Sequence, residues 1–512
     1  MPYFIALSAI TLGVIFPLFR YVVQPFFFSP LSKIPNAHFT SPISSRWIKA
    51  IRQAGNEVLT IHALHRKHGP VVRLAPDELS VNSLHGLRVV YTGAFEKHPL
   101  YRDLFLNFHT DNLVGMVPNA PHARQKRMLS RVYSKSYLQE SDALRSLSAI
   151  ILSQRLLPML QRFATTGETV NVLPLFQAVG MDFTSSYLFG VQTGTQYLFN
   201  LPQWLYWLDE YNEFKNLSPD VRADGLIERW CLSLCMQAKA KNANSPAKDK
   251  NLATEPVVYK SLRHALEKSP DSRPIDLAIA SELLDHLVAG HETSGITFTY
   301  VMWELSQRPE IQGDLRRELS TLNPPLHYPF TSVADDDDDD DDDGDLLALP
   351  HASDIDSLPL LDAIIRETLR LHAPASSPLP RVTPDIPSGT SINGYDSIPG
   401  GITVSSSAYT LHRIEEVYPQ PTEWLPQRWV DPESGKKHDM RRLWWPFGSG
   451  GRMCLGSNFA LQEIKLVMAA VYTNYMTSIV DDEGIEQDLA EFISPPKGRK
   501  LMLKFSPAKG PN

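Results

Sequence analysis

Apolar residues fall at helical spacing through most of this chain, and two stretches carry the pattern furthest. Over residues 279–305, Leu283, Leu284, Leu287, Val288, Ile296, Phe298, Val301 and Met302 predict a buried helix. Over residues 457–475, Phe459, Leu461, Ile464, Val467, Met468 and Val471 recur with no proline or glycine between them, which predicts another. Strand signals are fewer. Residues 71–74 and 79–81 around Pro76 predict a hairpin. Residues 392–404, punctuated by Asn393-Gly394 and Pro399-Gly400-Gly401, predict a second. The pattern is that of a mainly α protein with small β-sheets.

The first 28 residues differ from the rest. Residues 3–19 carry no charge, and apolar character resumes over 21–28 after a lone Arg20. Seventeen helical residues reach about 26 Å, marginal for a bilayer core, and extension past a snorkelling Arg20 makes the span adequate. Pro17 predicts a kink. A cleaved signal peptide fits less well, since no positive charge precedes the apolar run and no small-x-small site follows it. Arg20 and Lys33 lie on the C-terminal side, which places the bulk of the chain in the cytosol. The expectation is a transmembrane anchor over 1–28, a stiff proline hinge over 29–36 and a single body over 37–512.

Composition changes this picture at one place. The chain is 43% hydrophobic and 21% charged, as globular chains are, with a net charge of −8. Residues 335–343 are nine consecutive aspartates, and removing nine negative charges from −8 leaves +1. The acidity is therefore local, and nothing suggests nucleic-acid binding. Like charges repel and the run has nothing apolar to bury, so 323–353 is expected to be a disordered surface insertion. Dense carboxylates attract calcium, but no glycine-punctuated loop of the EF-hand kind is present. Of three cysteines, Cys231 and Cys235 stand one turn apart in a segment that reads as helix, poor geometry for a disulfide. A reducing compartment fits that usage.

The third cysteine carries the chemistry. Cys454 sits in Phe447-Gly448-Ser449-Gly450-Gly451-Arg452-Met453-Cys454-Leu455-Gly456, just ahead of the helix predicted over 457–475. Unpaired N–H groups and the dipole at a helix N-terminus favour a thiolate. Rival motifs fail on the letters. No G-x-x-x-x-G-K-[ST] occurs; Gly448 and Gly450 are followed by Met453, not a third glycine; Ser449 has Phe447 two residues before it; and no further Cys or His stands near enough for structural zinc. The pattern F-x-x-G-x-R-x-C-x-G resembles the haem-binding signature of the cytochromes P-450.

Two more constellations carry the same resemblance. Ala289-Gly290-His291-Glu292-Thr293-Ser294 matches the family's oxygen-activation motif, with Thr293 placed 161 residues before Cys454. A mid-helix glycine costs about 1 kcal/mol relative to alanine, and the expected reason at Gly290 is room for dioxygen beside a locally bent helix. A zincin reading of His291-Glu292 fails because Gly295 stands where histidine is required. Glu367 and Arg370 form E-x-x-R, a pair that shares one helix face, and Pro426-Gln427-Arg428-Trp429 resembles the family element that completes a Glu–Arg–Arg network.

The resemblance covers the chain from about residue 30 onward and implies a cytochrome P-450 fold. It implies haem b (iron protoporphyrin IX) with Cys454 as axial thiolate and metal ligand, Phe447 packed beside it, and Gly456 allowing close approach of the macrocycle. Arg452 and Arg381 would pair with the propionates. His122 and Lys126 stand where the family has tryptophan and arginine in W-x-x-x-R, and both can still donate to a carboxylate. Thr293 is implied as a hydrogen-bond donor on the dioxygen side and Glu292 as the group that passes protons inward. Glu367, Arg370 and Arg428 are implied as scaffold.

The activity so implied is a monooxygenase that places one oxygen atom from O2 into a lipophilic small molecule, by hydroxylation or epoxidation. Electrons would come from a separate NADPH-cytochrome reductase, with cytochrome b5 as a second donor. Lys436, Lys437, Arg441 and Arg442 are candidates for the docking face, or a solvated charge cluster. The leader and residues 39–47 look like those of filamentous-fungal enzymes of secondary metabolism, which implies polyketide or terpenoid substrates and an endoplasmic reticulum membrane with the body in the cytosol. Two alternatives stay open: a thiolate-haem isomerase or dehydratase that uses no O2, and a non-enzymatic haem-binding protein.

Overall fold

The computed structural model describes residues 11–217, 225–244, 252–269, 273–329, 348–430 and 436–508. Six helices position the site: α1 (Asn119–Leu129), α2 (Val172–Phe189), α3 (Leu201–Asn216), α4 (Ile275–Ser306), α5 (Pro359–Leu371) and α6 (Ser457–Asn474). Ten short strands accompany them: β1 (Val71–Ala75), β2 (Glu78–Val81), β3 (Glu96–Lys97), β4 (Thr169–Asn171), β5 (Arg381–Val382), β6 (Thr390–Ile392), β7 (Tyr395–Ile398), β8 (Thr403–Ser405), β9 (Tyr475–Asp481) and β10 (Met502–Pro507). The chain is mainly helical, as its periodicity predicts.

Helix α4 is 32 residues long and begins after Pro274, whose fixed φ suits a helix start. It is apolar on nearly all sides because other helices surround it. Its closest neighbour is α2, capped by the Asn171 side chain on the Leu173 N–H at 3.3 Å and ended by Gly190 at φ +81°. Gly180, Gly290 and Gly295 line the crossing of these two helices. A Cβ on Gly180 would stand 3.0 Å from the Gly290 carbonyl oxygen, and one on Gly295 would stand 2.9 Å from the Gln177 Cα. Helix α5 starts at Pro359, and the Glu318 carboxylate accepts from the Leu360 and Leu361 N–H groups at 2.7 and 2.9 Å. An anion from another helix thus meets the open donors of α5.

The largest sheet has the order β1-β2-β8-β5-β3, antiparallel except for the parallel pair β2 and β8. The hairpin expected around Pro76 is β1 and β2. The hairpin expected over 392–404 is only half present. Strands β6 and β7 turn at Asn393-Gly394, both at positive φ, but β8 leaves them to pair with β2 and β5. The two glycines at 400 and 401 release β8 into the other sheet, a connection that local turn chemistry does not encode. A third sheet pairs β4, β10 and β9.

Three apolar cores result among the described residues, the smallest of them around Ile48, Ile61 and Leu74, and the two larger ones flank the site. One fills the helical layer around α2, α4 and α6, and the other lies against the main sheet and includes Tyr91, Tyr418 and Trp445. The loop that carries Cys454 runs along their seam: Phe447 and Leu455 pack on the first core, and Trp445 belongs to the second.

The leader is helical over Thr11–Phe27, in alternating π and α turns, with Val14, Phe16, Leu18, Tyr21 and Phe27 exposed. Among the described residues no helix is long and apolar enough to cross a membrane. Residues 1–10 of the expected span lie outside the described residues. The proline segment is tied to the body: Leu31 and Ile34 are buried, and the Arg73 N–H donates to the Pro35 carbonyl at 2.8 Å. The flanks of the expected insertion are packed as well. Leu326 and Leu349 are buried, and Asn474 holds the Leu326 carbonyl and the Tyr328 N–H, each at 2.7 Å. The aspartate run itself lies outside the described residues.

Candidate active site

Cys454 hangs from a loop shaped by glycine. Gly450 has φ +68°, and a Cβ there would overlap the Tyr91 carbonyl, so both conformation and space demand glycine. The Cys454 N–H donates to the Phe447 carbonyl at 2.9 Å, which closes the loop on itself. A Cβ on Gly456, by contrast, would meet nothing within 4 Å. The thiol is enclosed by protein yet keeps accessible surface, so it borders an internal space. Burial pushes the thiol up, while the Gly456 and Ser457 N–H groups and the Lys126 charge pull it down; burial wins. The helix start therefore acts on this thiol as expected, but does not by itself make it an anion.

Helix α4 lies within electrostatic reach of the thiol, since the Asp285 charge acts on Cys454. Ala289 is exposed, and Val288, Gly290 and Thr293 are partly so, in a helix that is otherwise mostly buried. Asp285, Ala289 and Thr293 are spaced at i, i+4 and i+8 and share one face. The Thr293 hydroxyl donates back to the Ala289 carbonyl at 2.8 Å. Glu292 points elsewhere. Its carboxylate accepts from the Tyr211 hydroxyl at 3.1 Å and pairs with Lys215 at 3.3 Å, both on α3. Gly290 also has a different reason from the one expected. A Cβ there would collide with Thr184 on α2, 2.9 Å from its Cγ2, so the missing side chain serves the helix crossing, and α4 runs through without interruption.

A basic cluster lies beside the thiol. Arg452 donates to the Met116 and Val117 carbonyls at 2.7 and 2.6 Å and to Asn119 at 3.0 Å. Arg381 donates to the Tyr101 hydroxyl at 3.2 Å, with its guanidinium over the Tyr91 and Tyr101 rings. Lys126 donates to the Gly451 and Met453 carbonyls at 3.0 and 2.7 Å and so braces the Cys454 loop. Burial, then the neighbouring cations, push His122 down to about 3, so its ring is neutral.

Lys97 completes this cluster and carries no signal in the sequence. Strand β3 is two residues long, and its register sets Lys97 opposite Arg381. The ammonium is buried, donates to the Val114 carbonyl at 2.6 Å and lies 4.8 Å from the Tyr101 ring centre. Burial first, then Arg381 and Arg452, push it down to about 7, and burial first, then Arg381, bring Arg452 to about 10. Buried and half-buried cations that repel one another and have only neutral partners (carbonyls, an amide, a hydroxyl and rings) make a site for a dianion. A macrocycle with two carboxylates would fit this chemistry: Cys454 would hold its metal, and Arg381, Arg452 and Lys97 would meet its carboxylates.

The scaffold expected from E-x-x-R is present and larger than expected. Glu367 and Arg370 are fully buried and doubly bonded, at 2.8 and 2.9 Å, and Arg428 adds a third bond at 3.0 Å. Burial pushes the Glu367 carboxyl up, but its bonds to Arg370 and the charge of Arg428 bring it below its ordinary value. Trp429 Nε1 also donates to Glu367, at 2.8 Å. From Arg370 the network continues outward. Its carbonyl holds His412 Nδ1 at 2.8 Å, and His412 Nε2 accepts the Trp445 N–H at 2.7 Å, nine residues before Cys454.

A cavity of about 750 Å³ opens between α3, α4, residues 104–107 and residues 491–493. Leu104, Phe105, Leu284, Val288, Phe492 and Ile493 give it apolar walls, and Asp285, His291 and Glu292 also line it.

Comparison with known proteins agrees with this arrangement. The Cytochrome P450 family model matches residues 46–503. The chain belongs to the cytochrome P450 family. It is 26% identical over 507 residues to Cytochrome P450 monooxygenase orf2 of Aspergillus niger, covering 92% of this chain and 93% of that protein. It is 28% identical over 417 residues to Cytochrome P450 monooxygenase avaI of Aspergillus versicolor, covering 78% and 94%. Cytochrome P450 monooxygenase FGM1 of Gibberella zeae is 26% identical over 478 residues, 88% of each chain. This cytochrome P450 is a monooxygenase.

Proposed function

We propose that the chain holds haem b through Cys454 and oxidises a lipophilic small molecule in the secondary metabolism of a filamentous fungus. The observation that carries the reading is the enclosed but accessible Cys454 thiol within electrostatic reach of Asp285, on the α4 face that Ala289 and Thr293 share. When bound, haem supplies O2 activation and oxygen-atom insertion, with electrons delivered singly by a separate NADPH-cytochrome reductase and, as a second donor, cytochrome b5.

The chain's own residues do the rest. Arg381, Arg452, Lys97 and His122 would meet the two propionates, Lys126 holds the loop carbonyls at Gly451 and Met453, and Phe447 and Gly456 shape the seat. Thr293 presents a hydroxyl oxygen to the internal space while its own hydrogen rests on Ala289. Lys215, partly exposed and 3.3 Å from Glu292, starts a chain of exchangeable protons that leads from the cavity edge toward α4. The buried Glu367–Arg370–Arg428 network fixes the loop from behind. The apolar cavity walls suit a polyketide or terpenoid, for hydroxylation or epoxidation. The exposed apolar leader suits attachment to the endoplasmic reticulum membrane with the body in the cytosol.

The experiment is a carbon monoxide difference spectrum of the reduced full-length chain, wild type beside Cys454→Ala. A red-shifted Soret band in the wild type that vanishes in the variant is expected. A folded, haem-loaded wild type without that band overturns the assignment of Cys454.

A further inference from the structure

Among the charged groups that line the 750 Å³ cavity, Asp209 is exposed, four others are linked to one another, and one is buried without a partner among the described residues. Glu292 is held by Tyr211 and Lys215; Lys215 also approaches Glu491 at 3.9 Å; and Glu491 pairs with Arg499. These residues form a chain of ion pairs from Glu292 to Arg499. Asp285, on the same cavity wall, makes no side-chain hydrogen bond or ion pair among the described residues. It is 9% exposed. A buried carboxyl without a partner is destabilising, so one retained on a cavity wall calls for a reason.

Its position supplies one. Asp285 lies two turns before Thr293 on the face of α4 that Ala289 shares, and its charge is felt at Cys454. Leu284 and Val288 flank it with apolar surface, and Phe105 and Phe492 close the opposite wall. The groups that act on it from around the site are Glu282 and His286 on α4 and Lys97 on β3; burial and Glu282 raise its pKa to about 7. Of these, Glu282 and His286 pair with each other at 3.3 Å, and Lys97 donates to the Val114 carbonyl. The carboxyl oxygens thus have acceptor capacity and no donor among the described residues to fill it.

We infer that Asp285 is a substrate-positioning residue: it accepts a hydrogen bond from a donor group, hydroxyl or amine, on an otherwise apolar substrate, and so decides which carbon is turned toward the Cys454 side of the cavity. This rests on the monooxygenase reading and adds a substrate class to it, a lipophilic molecule bearing a hydrogen-bond donor remote from the oxidised carbon. A site built to bond such a group discriminates against the analogue that lacks it, because the carboxyl is then left desolvated and alone.

The test uses haem-loaded full-length chain and three probes of one shape: 4-phenylbutan-1-ol, N,N-dimethyl-4-phenylbutylamine and butylbenzene. Binding is read as the Soret shift on titration. Wild type is expected to bind the alcohol and the amine at least tenfold more tightly than butylbenzene. Asp285→Leu should bind all three alike, and Asp285→Asn should keep preference for the alcohol while losing it for the amine. Equal affinities in the wild type, or a preference that survives in Asp285→Leu, overturn the inference. The carbon monoxide band of the same preparations reports separately on the thiolate reading, since it depends on Cys454 and not on Asp285. Its absence from a folded, haem-loaded wild type would remove that reading and this inference with it.

Discussion

A side chain at position 290 has nowhere to go. Thr184 of α2 occupies the space in which a Cβ would lie, and Gly180 brings the α2 backbone against the Gly290 carbonyl. Motif matching assigns this glycine to dioxygen, because the motif names it and the chain alone does not say which way position 290 faces. Helical spacing shows that 285, 289 and 293 share a face; only packing shows that this face, and not that of 290, meets the internal space. The two accounts predict different things. If packing is the reason, Gly290→Ala destabilises the haem-loaded protein by about 1–3 kcal/mol, the usual cost of overpacking. Adding Thr184→Ala should recover most of that loss. Thermal unfolding of the two variants checks both; an unchanged melting temperature in Gly290→Ala sinks the packing account. Lys97 teaches the complementary lesson. A lone lysine in a two-residue strand has no period and no motif, and it becomes a site residue only because β3 is laid against Arg381.

At the scale of elements, E-x-x-R was legible because i and i+3 meet on any helix, and Arg428 because its short motif stands beside Trp429. His412 was not: it joins α5 to the Cys454 loop across 42 residues in one direction and 33 in the other. That bridge requires a neutral ring, with one nitrogen donating to the Arg370 carbonyl and the other accepting from Trp445. Burial first, and the charges of Arg370 and Arg413 next, push His412 down to about 3. His65 behaves alike, pushed down by burial to about 4 while bonded to the Gly69 carbonyl and Ser80. The sign of the consequence follows from proton counting. Between the unfolded value near 6.5 and these lowered folded values, the unfolded chain binds protons that the folded chain refuses. Stability is full above about pH 6.5 and falls as pH drops through that window, by at most about 1.4 kcal/mol per pH unit for each such histidine. The melting temperature should fall between pH 7 and pH 5. In His412→Gln, whose amide can donate to one partner and accept from the other, the fall should be shallower. Equal slopes in the two proteins would remove His412 from the account.

For the whole molecule, net charge and fold are separate matters. The charge of −8 belongs to nine consecutive aspartates, and the packed body begins and ends on either side of them with contacts of its own. Leu326 and Tyr328 are held by Asn474 at the end of α6, and Leu349 is buried just after the run. The expected insertion, 323–353, therefore takes in flanks at 326–328 and 349 that are packed, because polar composition spreads over residues that a neighbouring helix can still bind. Closing a loop depends on its length and hardly on its letters, and exposed substitutions usually change stability by no more than about 0.5 kcal/mol. Replacing Asp335–Asp343 by nine alternating serines and glycines should thus leave the melting temperature within about 2 °C and the carbon monoxide band unchanged. It should also move the protein from strong to weak retention on an anion exchanger, as the charge passes from −8 to +1. The comparison should be run with and without millimolar calcium. A loss of several degrees that appears only when calcium is present would show that the aspartates bind the ion and that the body uses it; a loss without calcium would show that the run contacts the fold.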